Sequence, residues 1–325
     1  MTNDNDRRSP WSRARPGGNP PPGDPAARGA GPRRPPPTQD ERKRERARAH
    51  IDEPRQRSGP ASSANARSAE DTAPRTVARE QRLYGLNACL AAFAKRPDAL
   101  RKVYLVEARI PALKAVLAWC VQQRIGYRVV DAADLDKLTA SRHHEGVCFD
   151  LQRPVPIQLE ALLAGLSTAP AASLLLWLDG VGNPHNLGAL LRSAAHFGVQ
   201  AVITPRASGL DVSGAAARVA EGAAEVVPVV QADDASAALA LLRSHGYVLA
   251  ATVPREGAPL YDSTLPARLV LVFGAEGEGM DAGMVEAADL RLRIPGSGAI
   301  ESLNVAASVA VLLGEYWRQH GTPLV

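Results

Sequence analysis

The stretch LLLWLDGVGNPHNLG, residues 174–188, decides the fold of the larger part of this chain. It begins with a continuous apolar run that ends in Asp179-Gly180, which is typical of a strand buried on both faces. A helical pattern follows, with Asn186 as its predicted N-cap and Gly198 as its C-terminal stop. A second apolar run occupies residues 199–205. The order strand, helix, strand predicts a βαβ unit of a parallel sheet.

The same alternation continues toward the C-terminus. Further strands are predicted at residues 225–230, 247–253, 268–274 and 290–296, with helices at 235–246 and roughly 303–320. Strands that alternate with helices indicate an α/β fold, in which a mostly parallel sheet is covered on both faces. Ligands of such sheets bind beyond the carboxyl ends of the strands.

Three glycine-rich loops are predicted at those strand ends, at residues 180–188, 273–280 and 294–304. Glycine lets a backbone approach a ligand without side-chain obstruction. This part of the chain has neither the GxGxxG spacing of a dinucleotide site nor the GxxxxGK spacing of a P-loop. The loops therefore predict a ligand site of another kind.

Polar residues flank these glycines and are the candidate site residues. Arg192, in the second turn of the first helix, could hold a phosphate or a developing oxyanion with its positive charge. An arginine that is simply solvated on the helix surface is about as good an interpretation. Asn186 and Ser302 could simply cap helices, and Glu276 could be a turn residue. The candidates are Asn186, Arg192, Glu276, Ser302 and Asn304.

A smaller α/β unit is predicted upstream, over residues 81–153, and a connector with one helix over residues 154–172. Its strands are predicted at 101–108, 126–131 and 146–151, and its helices at 87–95, 111–124 and 133–139. His143-His144 could be metal ligands, but no third ligand is near in sequence, so a turn before a strand is favoured and no metal is predicted.

The first 80 residues differ in composition from the rest. They hold 17 of the 38 Lys+Arg, 11 of the 34 Asp+Glu and 13 of the 26 prolines, with few large apolar residues. Such a segment is predicted to be a disordered basic tail, with a short helix in residues 41–50. Its acidic residues argue against a transit peptide. A solubilising extension and a nonspecific RNA-binding arm remain as equal alternatives.

Two further features limit the class of protein. No run reaches the roughly 18 to 20 apolar residues that span a bilayer, and the N-terminus has no signal-peptide core, so a cytoplasmic protein without a membrane partner is predicted. The three cysteines, Cys89, Cys120 and Cys148, are an odd number without a CxxC pair, which favours reduced and mostly buried thiols.

The three loops carry a resemblance to a known family. The order NPHNLGxxxR from 183, LVFGAEGEGM from 271 and IPGSGxxxSLNV from 294 resembles the three motifs of the SpoU, or TrmH, class of RNA ribose 2′-O-methyltransferases in the SPOUT superfamily. With the intervening sequence they cover roughly residues 174–320. The upstream unit, which opens with YGLNA and closes with HHEGV, resembles the L30e-like substrate-binding domain of these enzymes.

The resemblance implies a parallel sheet with a deep C-terminal trefoil knot, S-adenosylmethionine as cofactor, ribosomal or transfer RNA as substrate, and a homodimer. Residues 173–325 would be the methyltransferase domain. By motif position, Gly274, Ile294 and Leu303 would contact the cofactor, and the candidate site residues would surround the reaction. The chain departs from the usual pattern at Asn183, where the family often has Asp, and at Gly296, where it commonly has Met.

Two alternatives stay open from the sequence. One is a noncatalytic RNA-binding or ribosome-associated protein that retains the fold, and the intact polar set argues against it. The other is a base methyltransferase with a related knot, which fits the SLN pattern at residues 302–304 less well. In the family, the arginine of the first motif, which corresponds to Arg192, is often described as the base. A guanidinium stays protonated in proteins, so we favour a role for Arg192 in stabilising a developing alkoxide.

Overall fold

A computed structural model describes residues 80–166 and 172–321 of the chain. The predicted tail up to residue 79, and with it the short helix in residues 41–50, lies outside the described residues. Within the described ranges the strands form two separate sheets, one for each of the predicted α/β units.

The first sheet and its helices lie in the N-terminal part of the described chain. Its strands are β1 (Glu80–Tyr84), β2 (Leu100–Leu105), β3 (Gly126–Val129) and β4 (Val147–Gln152), and its helices are α1 (Leu86–Lys95), α2 (Lys114–Gln123) and α3 (Ala132–Thr139). The strand order is β1-β4-β2-β3, with β4 antiparallel to both neighbours and β3 parallel to β2. Each predicted helix and strand is present, with bounds that differ by up to three residues, and β1 is an additional strand that its short, charged sequence did not reveal.

The turn before β4 explains the two adjacent histidines. His144 is buried, its Nδ1 accepts a hydrogen bond from the N–H of Gly146 at 2.9 Å, and its Nε2 lies 3.2 Å from Asp136. Glu145 and Gly146 both have positive φ, at 55° and 78°. The predicted turn is confirmed, and the imidazole holds it closed.

Helix α4 (Leu159–Leu166) is the predicted helix of the connector, and the second sheet follows it. The strands of that sheet are β5 (Ser173–Asp179), β6 (Ala201–Pro205), β7 (Val229–Ala232), β8 (Val248–Thr252), β9 (Ala258–Pro259), β10 (Arg268–Gly274) and β11 (Leu290–Arg293). Its helices are α5 (Pro184–His196), α6 (Gly214–Val219), α7 (Ala235–Ser244), α8 (Ala282–Ala287) and α9 (Val305–His320).

The second sheet is parallel, as predicted, with the order β7-β6-β5-β10-β8-β11-β9. Alternate residues of β5 enter two different cores, since Leu174 and Leu176 pack on one face and Leu175 and Trp177 on the other. This is why the run at residues 174–178 is apolar without alternation. The helices α5 and α9 pack together on the first of these faces.

Two local predictions were wrong. The strand expected at residues 225–230 begins only at Val229, because Ala223–Glu225 forms a 3₁₀ helix and Pro228 has no N–H to donate to a ladder. The N-cap of α5 is Asn183, whose side chain accepts from the N–H of His185 at 2.9 Å. Pro184 then takes the first helical position, where its fixed φ suits a helix start.

Over residues 80–166 and 172–321, no helix is both long and apolar enough to cross a membrane. The three cysteines are free and buried, as predicted. Burial raises the pKa of the Cys148 thiol to about 12 and that of Cys89 well above its ordinary range.

Candidate active site at the ends of three strands

The three glycine-rich loops meet at the carboxyl ends of the parallel strands. The loop after β5 and the loop after β10 are in contact, because a Cβ on Gly180 would lie 3.2 Å from the Cβ of Ala275. The carboxylate of Asp179, the last residue of β5, also accepts a hydrogen bond from the N–H of Asp281 at 2.9 Å. The ends of these two neighbouring strands are therefore held together by the close approach of Gly180 to Ala275 and by the hydrogen bond between Asp281 and Asp179.

Glu276 joins all three loops. One carboxylate oxygen accepts from the amide Nδ2 of Asn186 at 2.9 Å, and the other accepts from Nδ2 of Asn304 at 2.6 Å. The second oxygen also lies 3.3 Å from the N–H of Val305, at the first residue of α9. Charge-assisted hydrogen bonds of this kind are about twice as strong as neutral ones. Three of the candidate site residues are thus brought together by one carboxylate.

Asn304 has a second task as the N-cap of α9. Its Oδ1 accepts from the N–H of Ala306 at 3.0 Å while its Nδ2 donates to Glu276. The capping alternative for Asn186 and Ser302 is wrong for both residues, since the caps are Asn183 and Asn304. Asn186 instead occupies the third helical position of α5, with its side chain turned to the loop after β10.

Arg192 lies six residues beyond Asn186 on α5, or about 9 Å along the helix axis at the usual rise. Its side chain is exposed, and no described residue gives it a hydrogen bond or an ion pair. An arginine with an open fork of donors is suited to a phosphate or a developing oxyanion.

The third loop is the most exposed of the three. Ser302 is exposed and, within the described part of the chain, has no hydrogen-bond partner. Leu303 exposes 44% of its surface and Ile300 72%, while Ile294, at the start of the loop, packs against the sheet core. Ser302 and Arg192 are therefore not tied to the cluster around Glu276, whereas Ile294 and Leu303 present apolar surface on the same loop.

Gly274 is required by the loop that follows it. Ala275 and Gly279 exchange two backbone hydrogen bonds, of 2.7 and 3.0 Å, so the chain turns back over the end of β10. A Cβ on Gly274 would lie 2.4 Å from the backbone of Gly279 and Met280. Any side chain at this position would force the loop away from the strand end.

Four other loop glycines leave bare backbone beside open space. A Cβ on Gly277, Gly279, Gly296 or Gly298 would meet nothing within 4 Å, and φ is positive at all but Gly296. Open backbone amides and carbonyls next to the apolar Leu303 fit a ligand with a polar end and a flat apolar part. The residues present are thus suitable for a nucleoside cofactor.

Gly188, within the first motif, has a role that sequence reasoning missed. A Cβ there would lie 2.5 Å from the carbonyl oxygen of Ala216 and 2.6 Å from Val219. Helix α6 therefore packs directly on the backbone of α5. The signal was the glycine itself, because a buried glycine within a helix usually marks a close approach.

Comparison with known proteins agrees with this geometry. The SpoU rRNA methylase family matches residues 173–314, and the RNA 2′-O ribose methyltransferase substrate-binding family matches residues 82–156. The uncharacterized tRNA/rRNA methyltransferase YfiF of Escherichia coli O157:H7 is 40% identical over 246 residues, covering 76% of this chain and 70% of that protein. The 23S rRNA (guanosine-2′-O-)-methyltransferase RlmB of Pectobacterium atrosepticum is 35% identical, covering 74% and 98%.

This chain belongs to the SpoU family. Solved structures of the family share its architecture. The crystal structure of an RNA 2′-O ribose methyltransferase is 27% identical, covers 74% of this chain and 89% of that one, and has a TM-score of 0.61. The AdoMet-bound rRNA methyltransferase of Sinorhizobium meliloti, at 20% identity, covers 74% and 87% with a TM-score of 0.62 and supports the fold alone.

Proposed function

We propose that this protein transfers a methyl group from S-adenosylmethionine to a ribose 2′-hydroxyl of ribosomal or transfer RNA. The observation that carries the proposal is the cluster in which Glu276 joins Asn186 and Asn304, while Arg192, on the same helix as Asn186, has no partner among the described residues. Membership of the SpoU family supports it over a noncatalytic RNA-binding protein.

Arg192 acts on the RNA in this proposal. Transfer to a hydroxyl requires that the oxygen lose its proton and approach the donor in line. The guanidinium, which stays protonated, stabilises the negative charge that develops on the ribose oxygen and binds the adjacent phosphate. Ser302, exposed on the third loop, adds a hydroxyl at the same edge of the sheet.

Glu276 positions the loops. Both of its oxygens are engaged by amide donors, so its role is to hold Asn186 and Asn304 at fixed places rather than to accept the substrate proton. Because Asn304 also caps α9, the same bond fixes the start of that helix against the site. Preorganised polar groups of this kind need no rearrangement during the reaction.

Gly274, Ile294 and Leu303 hold the cofactor together with the open backbone of the second and third loops. When bound there, S-adenosylmethionine supplies an electrophilic methyl group on a sulfonium. Gly296 and Gly298 would let the backbone between residues 294 and 304 approach the cofactor, because a Cβ at either position would face open space. We also propose that these loops form a deep trefoil knot. The position of β10 between β5 and β8 in the sheet supports this knot.

The domain division follows from the same proposal. Residues 81–153 bind the RNA substrate, residues 154–172 link the domains, and residues 173–325 carry out the transfer, while residues 1–80 form a basic tail. The reaction takes place in the cytoplasm, where its RNA substrates are found, and needs no membrane partner.

A homodimer completes the assembly in this proposal. Trp317 exposes 42% of its surface near the end of α9 and, with Phe197 and Tyr316, lines a groove between α9 and the end of α5. Large aromatic residues in such a groove are typical of an interface. Light scattering after gel filtration measures the mass, and Trp317→Asp is expected to reduce it to that of one chain.

The central experiment incubates the purified full chain with tritiated S-adenosylmethionine and with ribosomal and transfer RNA pools from a strain lacking the gene. We expect label in one pool as a 2′-O-methyl nucleotide. Arg192→Ala should lower turnover by a factor of about 100 or more, as loss of an oxyanion donor does. Calorimetry should show that its cofactor affinity is unchanged.

The matched control is Arg291→Ala, which removes an exposed arginine from β11 of the same domain. It should methylate RNA at the wild-type rate. Normal methylation by Arg192→Ala would overturn the role given to Arg192, and a wild-type chain that binds neither cofactor nor methyl-accepting RNA would overturn the proposed function.

A further inference from the structure

The two domains meet mainly along residues 214–225, which we call the docking segment. Just before it, Val212 packs on the core of the first domain and Asp211 accepts a hydrogen bond from Arg153. It comprises α6, with its residues Gly214–Val219, and the 3₁₀ helix Ala223–Glu225. On one side α6 packs on α5, the helix that carries Asn186 and Arg192. On the other side the segment contacts β1 and α1 of the first domain. The segment is therefore a physical connection between the RNA-binding domain and the candidate active site.

A half-buried ion pair crosses this boundary. Arg96, at the end of α1, donates from Nε and Nη2 to both carboxylate oxygens of Glu225, each at 2.9 Å, and the two side chains are only 17% and 15% exposed. The third nitrogen of Arg96 donates to the carbonyl of Gln152 at 2.6 Å. A bidentate, shielded pair of this kind fixes an orientation as well as a distance.

A second set of contacts crosses the boundary at the opposite end of α1. Glu145 accepts from the N–H of Leu86 at 3.0 Å with one oxygen and lies 3.4 Å from Arg218 with the other. The amide of Asn87 donates to Glu221 at 2.5 Å. Contacts at both ends of one helix prevent it from rotating on the docking segment.

The backbone of the boundary is shaped for contact. A Cβ on Gly222 would lie 2.7 Å from the Cβ of Ala91, one on Gly85 would lie 2.6 Å from Arg218, and one on Gly214 would lie 2.7 Å from Tyr84. Ala217 of α6 is buried in the core of the first domain rather than in that of its own. The fit uses glycines on both sides, and small residues at such places permit close packing.

We propose that the docking segment fixes the RNA-binding domain in cis, and that Arg96 and Glu225 are positioning residues that set how RNA reaches Arg192. This proposal rests on the proposed function and deepens it. Helix α6 follows β6, a strand that ends at the active-site edge, and Gly214 at the start of α6 packs against Tyr84, so the end of β1 lies toward that edge. A docked domain thus presents one defined surface beside the site.

The kinetic consequence follows from preorganisation. If the domains are docked before RNA binds, RNA that touches both does not have to order them. Breaking the Arg96–Glu225 pair should therefore raise KM for RNA, while saturating RNA holds the domains together and restores kcat. Loss of one partner from a shielded ion pair is costly, so we expect Arg96→Glu to raise KM about tenfold or more, with kcat within about twofold of wild type.

The experiment compares Arg96→Glu, Glu225→Arg and the double variant Arg96→Glu/Glu225→Arg in the full chain, with bulk ribosomal and transfer RNA as substrate. The charge swap should bring KM back toward wild type, and cofactor affinity should not change in any variant. Lys95→Glu is the matched control, since it reverses the neighbouring, exposed charge and should leave KM nearly unchanged. A KM unaffected by Arg96→Glu, or no recovery in the swap, would overturn the proposal.

Docking itself is measured without activity by cross-linking Asn87→Cys/Glu221→Cys with a short bis-maleimide. The native cysteines are buried and should not react. We expect a rapid cross-link within one chain, slowed by adding Arg96→Glu. A product of twice the mass, or none, would contradict docking in cis. If the wild-type chain cross-links but methylates no RNA, the proposed function fails while the docked arrangement stands.

Discussion

The two sheets use the polar residues of their loops in opposite ways. Beside the first sheet, His144, Glu145 and Arg96 form hydrogen bonds with other residues of the protein. Beside the parallel sheet, Glu276 is fully engaged, but within the described residues Arg192 and Ser302 have no partner. Polar groups that are hydrogen-bonded within the protein stabilise its structure. Polar groups without such a partner, next to hydrogen-bonded ones, indicate a place where a ligand binds.

After the loss of turnover expected from Arg192→Ala, the largest effect in this comparison is expected from Glu276→Gln. A glutamine has only one acceptor oxygen, so its NH₂ group would face the NH₂ of either Asn186 or Asn304. Losing a charged hydrogen bond costs about 1.5 to 3 kcal/mol, which corresponds to a fall in kcat of roughly 10- to 100-fold. Steady-state methylation assays measure this.

The control for that change lies in the same loop. Glu278 is exposed and has no hydrogen bond to any residue in the described ranges. Glu278→Gln should keep wild-type turnover, and an equal loss in both variants would show that the loop needs negative charge rather than the specific bonds of Glu276.

Gly188→Ala should have the next largest effect, on stability. The added methyl would lie 2.5 Å from the carbonyl of Ala216, so α5 and α6 must separate. Overpacking of this kind lowers the free energy of unfolding by about 1 to 3 kcal/mol. Gly314→Ala, in α9, places its methyl 3.8 Å from Phe197 and should instead stabilise the protein slightly. Urea denaturation measures the free energy of unfolding of both variants. A loss for Gly188→Ala with a gain for Gly314→Ala would show that close packing outweighs helix propensity only at Gly188.

His144→Phe tests the opposite region. The ring would still fill the buried site, but the N–H of Gly146 would lose its acceptor, at a cost of about 1 to 3 kcal/mol. Thermal unfolding should show this loss while cofactor affinity, measured by calorimetry, stays unchanged. A fall in cofactor affinity would show that His144 influences the candidate site as well as the stability of its own domain.

A smaller effect is expected at Glu315 as the pH falls. Hydrogen bonds from Arg318, and then from Gln319, lower the pKa of this carboxyl from 4.5 to about 2. Its folded pKa lies below the unfolded one, so it adds stability above about pH 4.5 that is lost as the pH falls toward 2. Because Arg318 is largely exposed, the contribution is below about 1 kcal/mol. Glu315→Gln should unfold with less acid dependence over this range, and identical acid profiles would contradict the assignment.

The smallest effect is expected from thiol reagents. Burial raises the pKa values of Cys89, Cys120 and Cys148, so few thiolates form at neutral pH. Iodoacetamide should label the native protein slowly and the urea-unfolded protein fast, as mass spectrometry would record. Fast labelling of the native chain would mean that the core of the first domain, which holds the three cysteines, opens readily.

Local sequence was enough for most of the helices and strands. The runs at 173–179 and 268–274 could be predicted because strands buried on both faces need continuous apolar residues. It failed where a proline and a 3₁₀ helix interrupt residues 223–228, and where Asn183 rather than Asn186 caps α5. The cap was misplaced because two asparagines with the same propensity compete and the backbone path decides between them. The strand was placed too early because a 3₁₀ helix occupies residues 223–225 and Pro228 has no N–H for a ladder.

Apolar periodicity and glycine act locally, so the α/β fold and the three glycine loops at its strand ends follow from the order of the amino acids. Packing between distant segments is what brings Glu276 to Asn186, 90 residues away, and to Asn304, 28 residues away. It also places α6 on Gly188 and Arg96 beside Glu225 across the domain boundary. The physical reason is that these contacts depend on how distant segments pack, and packing distances are not encoded in the spacing of any single motif.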